Sequence, residues 1–295
     1  MTNNKPTNSY NVLSFNMTSY RLLYTFILII GLTILGCSRT KVLTSSQAPA
    51  QITVDGSLTD WPRDRIQMNP QGDYDLFFSN DEEFLYVFVG LKNNQLYQSI
   101  KRYGLRFYFD SDKDPRRSFG IVYPVGIMDV LSEIPGARKE YLENPGWENQ
   151  PENRRLIESI EENLPDRVMI IQRTNKRDPL RPVPIGRDAL RAQSVELSMD
   201  RTSSVMQIEM KIPLRSSRMR QFAIDVQNNK DIHFGFEIVP PTLEEMMGES
   251  YRSEQMNPSA RDPYGNRVDQ AQSYQRLLMQ TNNSYVRWNR IRLSK

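Results

Sequence analysis

Apolar and polar side chains alternate with a period of two through much of this chain, and that alternation places the strands. Over residues 204–212, Met206, Ile208, Met210 and Ile212 point one way while Val205, Gln207, Glu209 and Lys211 point the other. Residues 193–200 repeat the pattern with Val195, Leu197 and Met199, and residues 231–239 with Ile232, Phe234, Phe236 and Ile238. Strands with one wet face read this way. Residues 84–91 are apolar on both faces, which predicts a central strand covered on each side. Runs at 74–79 and 105–110 flank it. The polar cluster Asn80-Asp81-Glu82-Glu83 has the length of a hairpin turn, and a second turn follows at Asp110-Ser111-Asp112-Lys113-Asp114-Pro115. With further strands at 118–124 and 167–172, the series of strands and scarcity of long helices predict an all-β, antiparallel sandwich.

Two stretches, near 125–165 and 240–283, break the alternation. In the first, residues 151–164 predict a helix. Pro151 suits its first turn, Leu156, Ile157, Ile160 and Leu164 share a face, and Pro165 stops it. The second carries Met, Gln and Pro with a turn at Asp262-Pro263-Tyr264-Gly265-Asn266, and predicts irregular chain with short helices. Neither reads as an independent domain, so residues 51–295 are expected to form one β-sandwich with short helical insertions.

Composition changes the picture at the N-terminus. Residues 22–36 are uncharged and rich in Leu, Ile, Phe and Thr, with Arg21 just before them. At 1.5 Å per residue this run falls short of a hydrocarbon core of roughly 30 Å, which favours a secretory signal over a spanning helix. It ends at Ile34-Leu35-Gly36-Cys37, which resembles the lipobox of bacterial lipoproteins. That resemblance implies cleavage before Cys37, acylation of its thiol and N-terminus, and a membrane anchor; several acyl chains hold where one does not. Residues 1–36 would be the signal peptide, with Met17 as the compact start, and residues 37–50, rich in Ser, Thr and Ala, a flexible tether. Ser38 after the cysteine favours the outer membrane, facing the periplasm. Removing residues 1–36 takes away Lys5 and Arg21 and no acid, so a chain of formal charge +3 becomes nearly neutral. Nucleic-acid binding, which depends on a basic surface, is not expected.

The opening of the body, Ile52-Thr53-Val54-Asp55-Gly56-Ser57-Leu58-Thr59-Asp60-Trp61, reads as a short strand, a turn and an apolar plug. It resembles the opening signature of family 9 carbohydrate-binding modules and their DOMON-like relatives. Leu85-Tyr86-Val87 after an acidic turn, the strand at 105–110, Glu209-Met210-Lys211-Ile212-Pro213-Leu214 and the closing 288–293 are similar to later pieces of that family, in the same order. The resemblance implies a jelly-roll-like β-sandwich that binds sugars without catalysis and often carries structural calcium.

Candidate chemistry is sparse. Cys37 is the only cysteine and His233 the only histidine, which excludes zinc sites built on several such ligands and a histidine-based triad with a spare imidazole. Asp110, Asp112 and Asp114 alternate in one turn, where they either converge on a calcium ion or form a solvated acidic turn beside Lys113 and Arg116. Sugars stack on exposed aromatic faces ringed by polar side chains. Trp147, in a polar, turn-rich loop, either offers such a face or seals the insertion onto the sandwich. Tyr141, Tyr103 and Tyr264 are further carbohydrate-binding candidates, while Trp61 and Trp288 read as core. The expected partner is a carbohydrate or, alternatively, another envelope protein bound by a structural lipoprotein; no catalytic residues stand out, and no cofactor is required beyond a structural calcium.

Overall fold

The predicted alternation folds into two sheets packed face to face. The computed structural model describes residues 42–49, 52–61, 67–68, 72–111, 114–144, 146–173, 175, 177–200, 206–226, 231–240 and 285–294. The chain divides into Met1–Thr40 and Lys41–Lys295, and the sandwich is the second unit. The expected signal peptide, Cys37, Tyr264 and Asp112 lie outside the described residues.

Among the described residues, one seven-stranded sheet runs β1 (Val42–Thr44), β13 (Tyr285–Arg292), β12 (Asp231–Ile238), β6 (Arg106–Asp110), β7 (Phe119–Val122), β8 (Val168–Gln172), β9 (Val183–Ile185). The six-stranded sheet runs β10 (Glu196–Asp200), β11 (Met206–Pro213), β5 (Phe84–Leu91), β4 (Tyr74–Asn80), β2 (Ser46–Gln47), with β3 (Gln67–Met68) also on β4. Pairing is antiparallel except for β1 with β13 and β2 with β4, which are parallel. Among the described residues, five helices connect strands: α1 (Asn94–Tyr103), α2 (Ile127–Ser132), α3 (Ala137–Glu143), α4 (Pro151–Asn163) and α5 (Arg187–Ala192). This is an all-β, jelly-roll-like sandwich with short helical insertions.

Strand β5 shows how the sequence dictates the layers. It pairs with β4 on one side, Tyr74 opposite Leu91, and with β11 on the other, Met206 opposite Leu91. Leu85, Val87, Val89 and Leu91 face the inter-sheet core and are fully buried. Tyr86 and Phe88 point the opposite way and are also buried, so both faces are covered as the doubly apolar run predicts. The hairpin turn closes because Asp81 Oδ1 accepts from the backbone N–H groups of Glu83 at 2.8 Å and Phe84 at 2.7 Å. Across the sandwich, Tyr74 meets Phe236 and Phe78 meets Phe234 edge to face, each at 5.1 Å. Each such side chain, withdrawn from water, contributes about 1.5–3 kcal/mol.

The outer face of the six-stranded sheet is sealed by the segment that carries the opening signature. Residues 52–54 are not a strand. Only Ile52 and Val54 mark that run, and its backbone is held instead by side chains, with Thr53 N–H donating to Asp60 Oδ2 at 2.7 Å. Trp61 packs against Phe77 and Phe88, at 5.8 and 6.0 Å between ring centroids. Beneath it, fully buried Glu209 of β11 accepts three hydrogen bonds: from Trp61 Nε1–H at 2.7 Å, and from the N–H groups of Asp55 and Gly56, both at 2.9 Å. Gly56 is required there, because its φ is +89° and a Cβ would sit 2.8 Å from Asp200 N. Burial pushes the Glu209 carboxyl up to about 7, against the three donors that hold it down.

Two expectations are corrected. The tether does not extend to residue 50, since β1 and β2 place residues 42–47 across the end of both sheets. Ser45, where the chain passes from one sheet to the other, bonds the Asn80 side chain and receives Ser294 N–H at 2.9 Å. Trp288 does not enter the core between the sheets: it is half-buried on the outer face of the seven-stranded sheet, packed at the margin of a second core and stacked on Tyr108 at 6.0 Å. Gly235 makes room for it, as a Cβ there would come within 2.7 Å of the indole ring.

Candidate functional site

The predicted helix at 151–164 forms as α4, with Ile160 and Leu164 buried and Leu156 and Ile157 partly so. The helices between β7 and β8 lie on the outer face of the seven-stranded sheet. Val122 and Ile171 of that face form a second core with Val130, Leu131, Trp147, Ile160 and Leu164.

Helix α1 has a cap and a stop that define it. Asn93 accepts from the N–H groups of Gln95 at 2.8 Å and Leu96 at 3.2 Å, Leu96 and Ile100 are buried one turn apart, and Gly104 ends the helix at φ +75°. At that end the backbone comes so close to Gly126, just before α2, that a Cβ on Gly104 would sit 2.8 Å from Gly126 N. This contact brings Tyr103 beside Ile127 and opens a groove of about 740 Å³ onto α3, α4 and the turn Trp147–Asn149.

Three of the four predicted carbohydrate-binding residues, Tyr103, Tyr141 and Trp147, line this groove. They do so in different ways. Trp147 is only 4% exposed, so it does not offer the open face that its loop setting suggested. Its Nε1–H donates to Glu140 Oε2 at 3.1 Å and its ring meets Tyr141 edge-on at 5.8 Å, which makes it the floor. Tyr103 and Tyr141 are half-buried. The Arg102 guanidinium sits 5.7 Å from the centre of the Tyr103 ring and 5.1 Å from that of Tyr141. Burial raises both phenols above the usual tyrosine range, and the charge of Glu148 raises Tyr141 further, so both keep their protons at neutral pH and can donate. Lys101 of α1 ties to Glu161 of α4 at 2.6 Å across the groove. Gln98, Asn144 and Asn149 add neutral donors and acceptors to the lining. An apolar floor, aromatic flanks and a polar rim suit a polyhydroxylated ring with an apolar face.

The acidic turn is organised from within. Asp110 is buried, and its carboxylate accepts from the N–H groups of Arg116 at 2.9 Å, Arg117 at 2.7 Å and Ser118 at 2.7 Å. Asp114 is exposed. Among the described residues, no group of three or more His, Cys, Asp or Glu is arranged to hold a metal ion. Lone pairs spent on three amides are lone pairs that a cation would need.

Solved structures give a point of comparison. Two structures of a family 9 carbohydrate-binding module from Caldicellulosiruptor kristjanssonii, in complex with glucose and with cellotriose, are similar to this chain at 12% and 11% identity. The likeness covers 86% of this chain and 96% and 94% of theirs, with a TM-score of 0.33 in both cases. No family model and no curated protein matches the chain.

Sequence reasoning missed Arg102 and helix α1. The signals were present in Asn93, in the Leu96 and Ile100 pair, and in Gly104. What the sequence did not show is that this helix end and the turn at 147 share one groove.

Proposed function

We propose that the protein is a non-catalytic carbohydrate-binding lipoprotein of the bacterial envelope, anchored through acylated Cys37 at the outer membrane and binding a sugar in the groove between α1, α3 and α4. The observation that carries this reading is the pair of half-buried tyrosines, Tyr103 and Tyr141, set above Trp147 in a groove of about 740 Å³. That volume lies in the range of small-ligand sites, roughly 300–1,000 Å³. The phenol hydroxyls, Arg102, Lys101 and the side-chain amides can donate, while the carboxylates and amide oxygens accept, which matches the mixed demand of sugar hydroxyls. The test is a glycan array probed with the full-length protein beside Tyr141→Ala. Binding to a defined glycan that falls with Tyr141→Ala supports the reading; binding unchanged by that substitution places the site elsewhere.

A further inference from the structure

Among the described residues, six charged side chains line the groove, Lys101, Arg102 and Arg154 against Glu148, Glu158 and Glu161. Their pairing is uneven. Lys101 and Glu161 neutralise each other at 2.6 Å. Glu148 is exposed, and water solvates it. Arg154 and Glu158 are both exposed, one turn apart on α4, where water solvates them. Arg102 differs from all of these. It is half-buried, it has no carboxylate within ion-pair distance among the described residues, and its Nε is buried without a hydrogen-bond partner. Two tyrosine rings flank its guanidinium, which presents a planar fork of N–H donors.

A cation withdrawn from water without a partner is unfavourable, and a matching anion relieves it through two charge-assisted hydrogen bonds. A sugar hydroxyl supplies an acceptor but no countercharge. We infer that the groove selects an acidic sugar, whose carboxylate or sulfate group docks on the Arg102 guanidinium while the ring lies against Tyr103 and Tyr141. This rests on the sugar-binding reading above and narrows it to anionic glycans.

The experiment is calorimetric titration of the full-length protein with four oligosaccharides of equal length: a galacturonate, its methyl ester, the neutral galactose oligomer and a sulfated galactose oligomer. A hydrogen bond to a charged group corresponds to roughly tenfold to hundredfold in affinity. The uronate or the sulfated member is expected to bind at least about tenfold more tightly than its uncharged counterpart. Arg102→Gln is expected to erase that difference. Should Arg102→Gln fail to fold, Arg102→Lys, which keeps the charge and loses the planar fork, is expected to shrink the same difference. Neutral and acidic members bound equally by the wild type would overturn the inference and leave sugar binding intact. Preference retained in both variants overturns the role of Arg102. Binding of none of the four, with none on the array either, overturns both.

Discussion

Replacing Glu209 with glutamine tests the clamp that holds the opening segment on the six-stranded sheet. The carboxylate accepts from Trp61 Nε1–H, Asp55 N–H and Gly56 N–H, at 2.7, 2.9 and 2.9 Å. An amide has one oxygen, so if it serves the two backbone groups, its NH₂ faces the Trp61 indole N–H. A buried donor left unpaired costs about 1–3 kcal/mol, and Glu209→Ala, which strands all three donors, costs on the order of 4 kcal/mol. Either loss is a large part of the 5–15 kcal/mol by which domains are ordinarily stable. The wild type also carries a pH signature. Burial raises the Glu209 carboxyl from its ordinary 4.5 to about 7, so between these values the folded chain holds a proton that the unfolded chain releases. The stability due to that proton is complete below pH 4.5 and is lost as pH rises through about 7. At 1.36 kcal/mol per unit, the shift amounts to about 3 kcal/mol. Urea unfolding of both proteins from pH 4 to 8 reads this directly. The difference between wild type and Glu209→Gln should shrink by about 3 kcal/mol across that range, because glutamine does not titrate. A difference that stays flat with pH would refute the argument that Glu209 titrates within the clamp.

Other outcomes follow from single contacts. Asn93→Ala removes the acceptor for Gln95 and Leu96 N–H and should cost about 1 kcal/mol by chemical denaturation, with α1 fraying first in hydrogen exchange. Trp147→Ala empties a site in the second core and should destabilise by about 3–5 kcal/mol, so lost sugar binding in that variant should coincide with a lowered Tm. Gly235→Ala forces a methyl into the Trp288 ring and should destabilise, with Trp288 fluorescence shifting as the indole leaves Tyr108. Since three backbone amides already engage Asp110, the Tm should be the same in excess calcium and in chelator; a higher Tm in calcium would identify a bound ion.

Much of the fold was legible because a sheet writes itself into sequence at the shortest period there is. Met206, Ile208, Met210 and Ile212 fall on one face wherever β11 sits, and the doubly apolar β5 announces cover on both sides. Helix α4 was legible for the same reason, from Leu156, Ile157, Ile160 and Leu164 on one stripe. Where few residues carry the pattern, it fails. Leu43 is the one apolar side chain of β1 turned inward, so a polar segment that enters both sheets reads as a tether. Helix α1 buries only Leu96 and Ile100, with Tyr97 and Tyr103 partly buried beside them, so its apolar stripe is short. The candidate site shows the same division. Tyr103, Tyr141 and Trp147 were visible as aromatic residues outside the strand pattern, but their meeting depends on the close approach of Gly104 to Gly126, a tertiary contact with no local period. Trp61 and Trp288 carry the same residue name and serve opposite outer faces, one sealed over Glu209 and one half-open over Gly235.

The central claim is that a sugar is bound between Tyr103 and Tyr141. Its most direct measurement is titration of the best glycan from the array into wild type, Tyr141→Ala and Trp288→Ala, with Tm recorded for each. Aromatic stacking is worth about 0.5–1.5 kcal/mol beyond area burial, so Tyr141→Ala should weaken binding by up to about tenfold with a smaller fall in Tm than Trp147→Ala shows, while Trp288→Ala leaves the affinity as it was. Affinity untouched by Tyr141→Ala and lost with Trp288→Ala would contradict the account and move the site to the open half of the seven-stranded sheet.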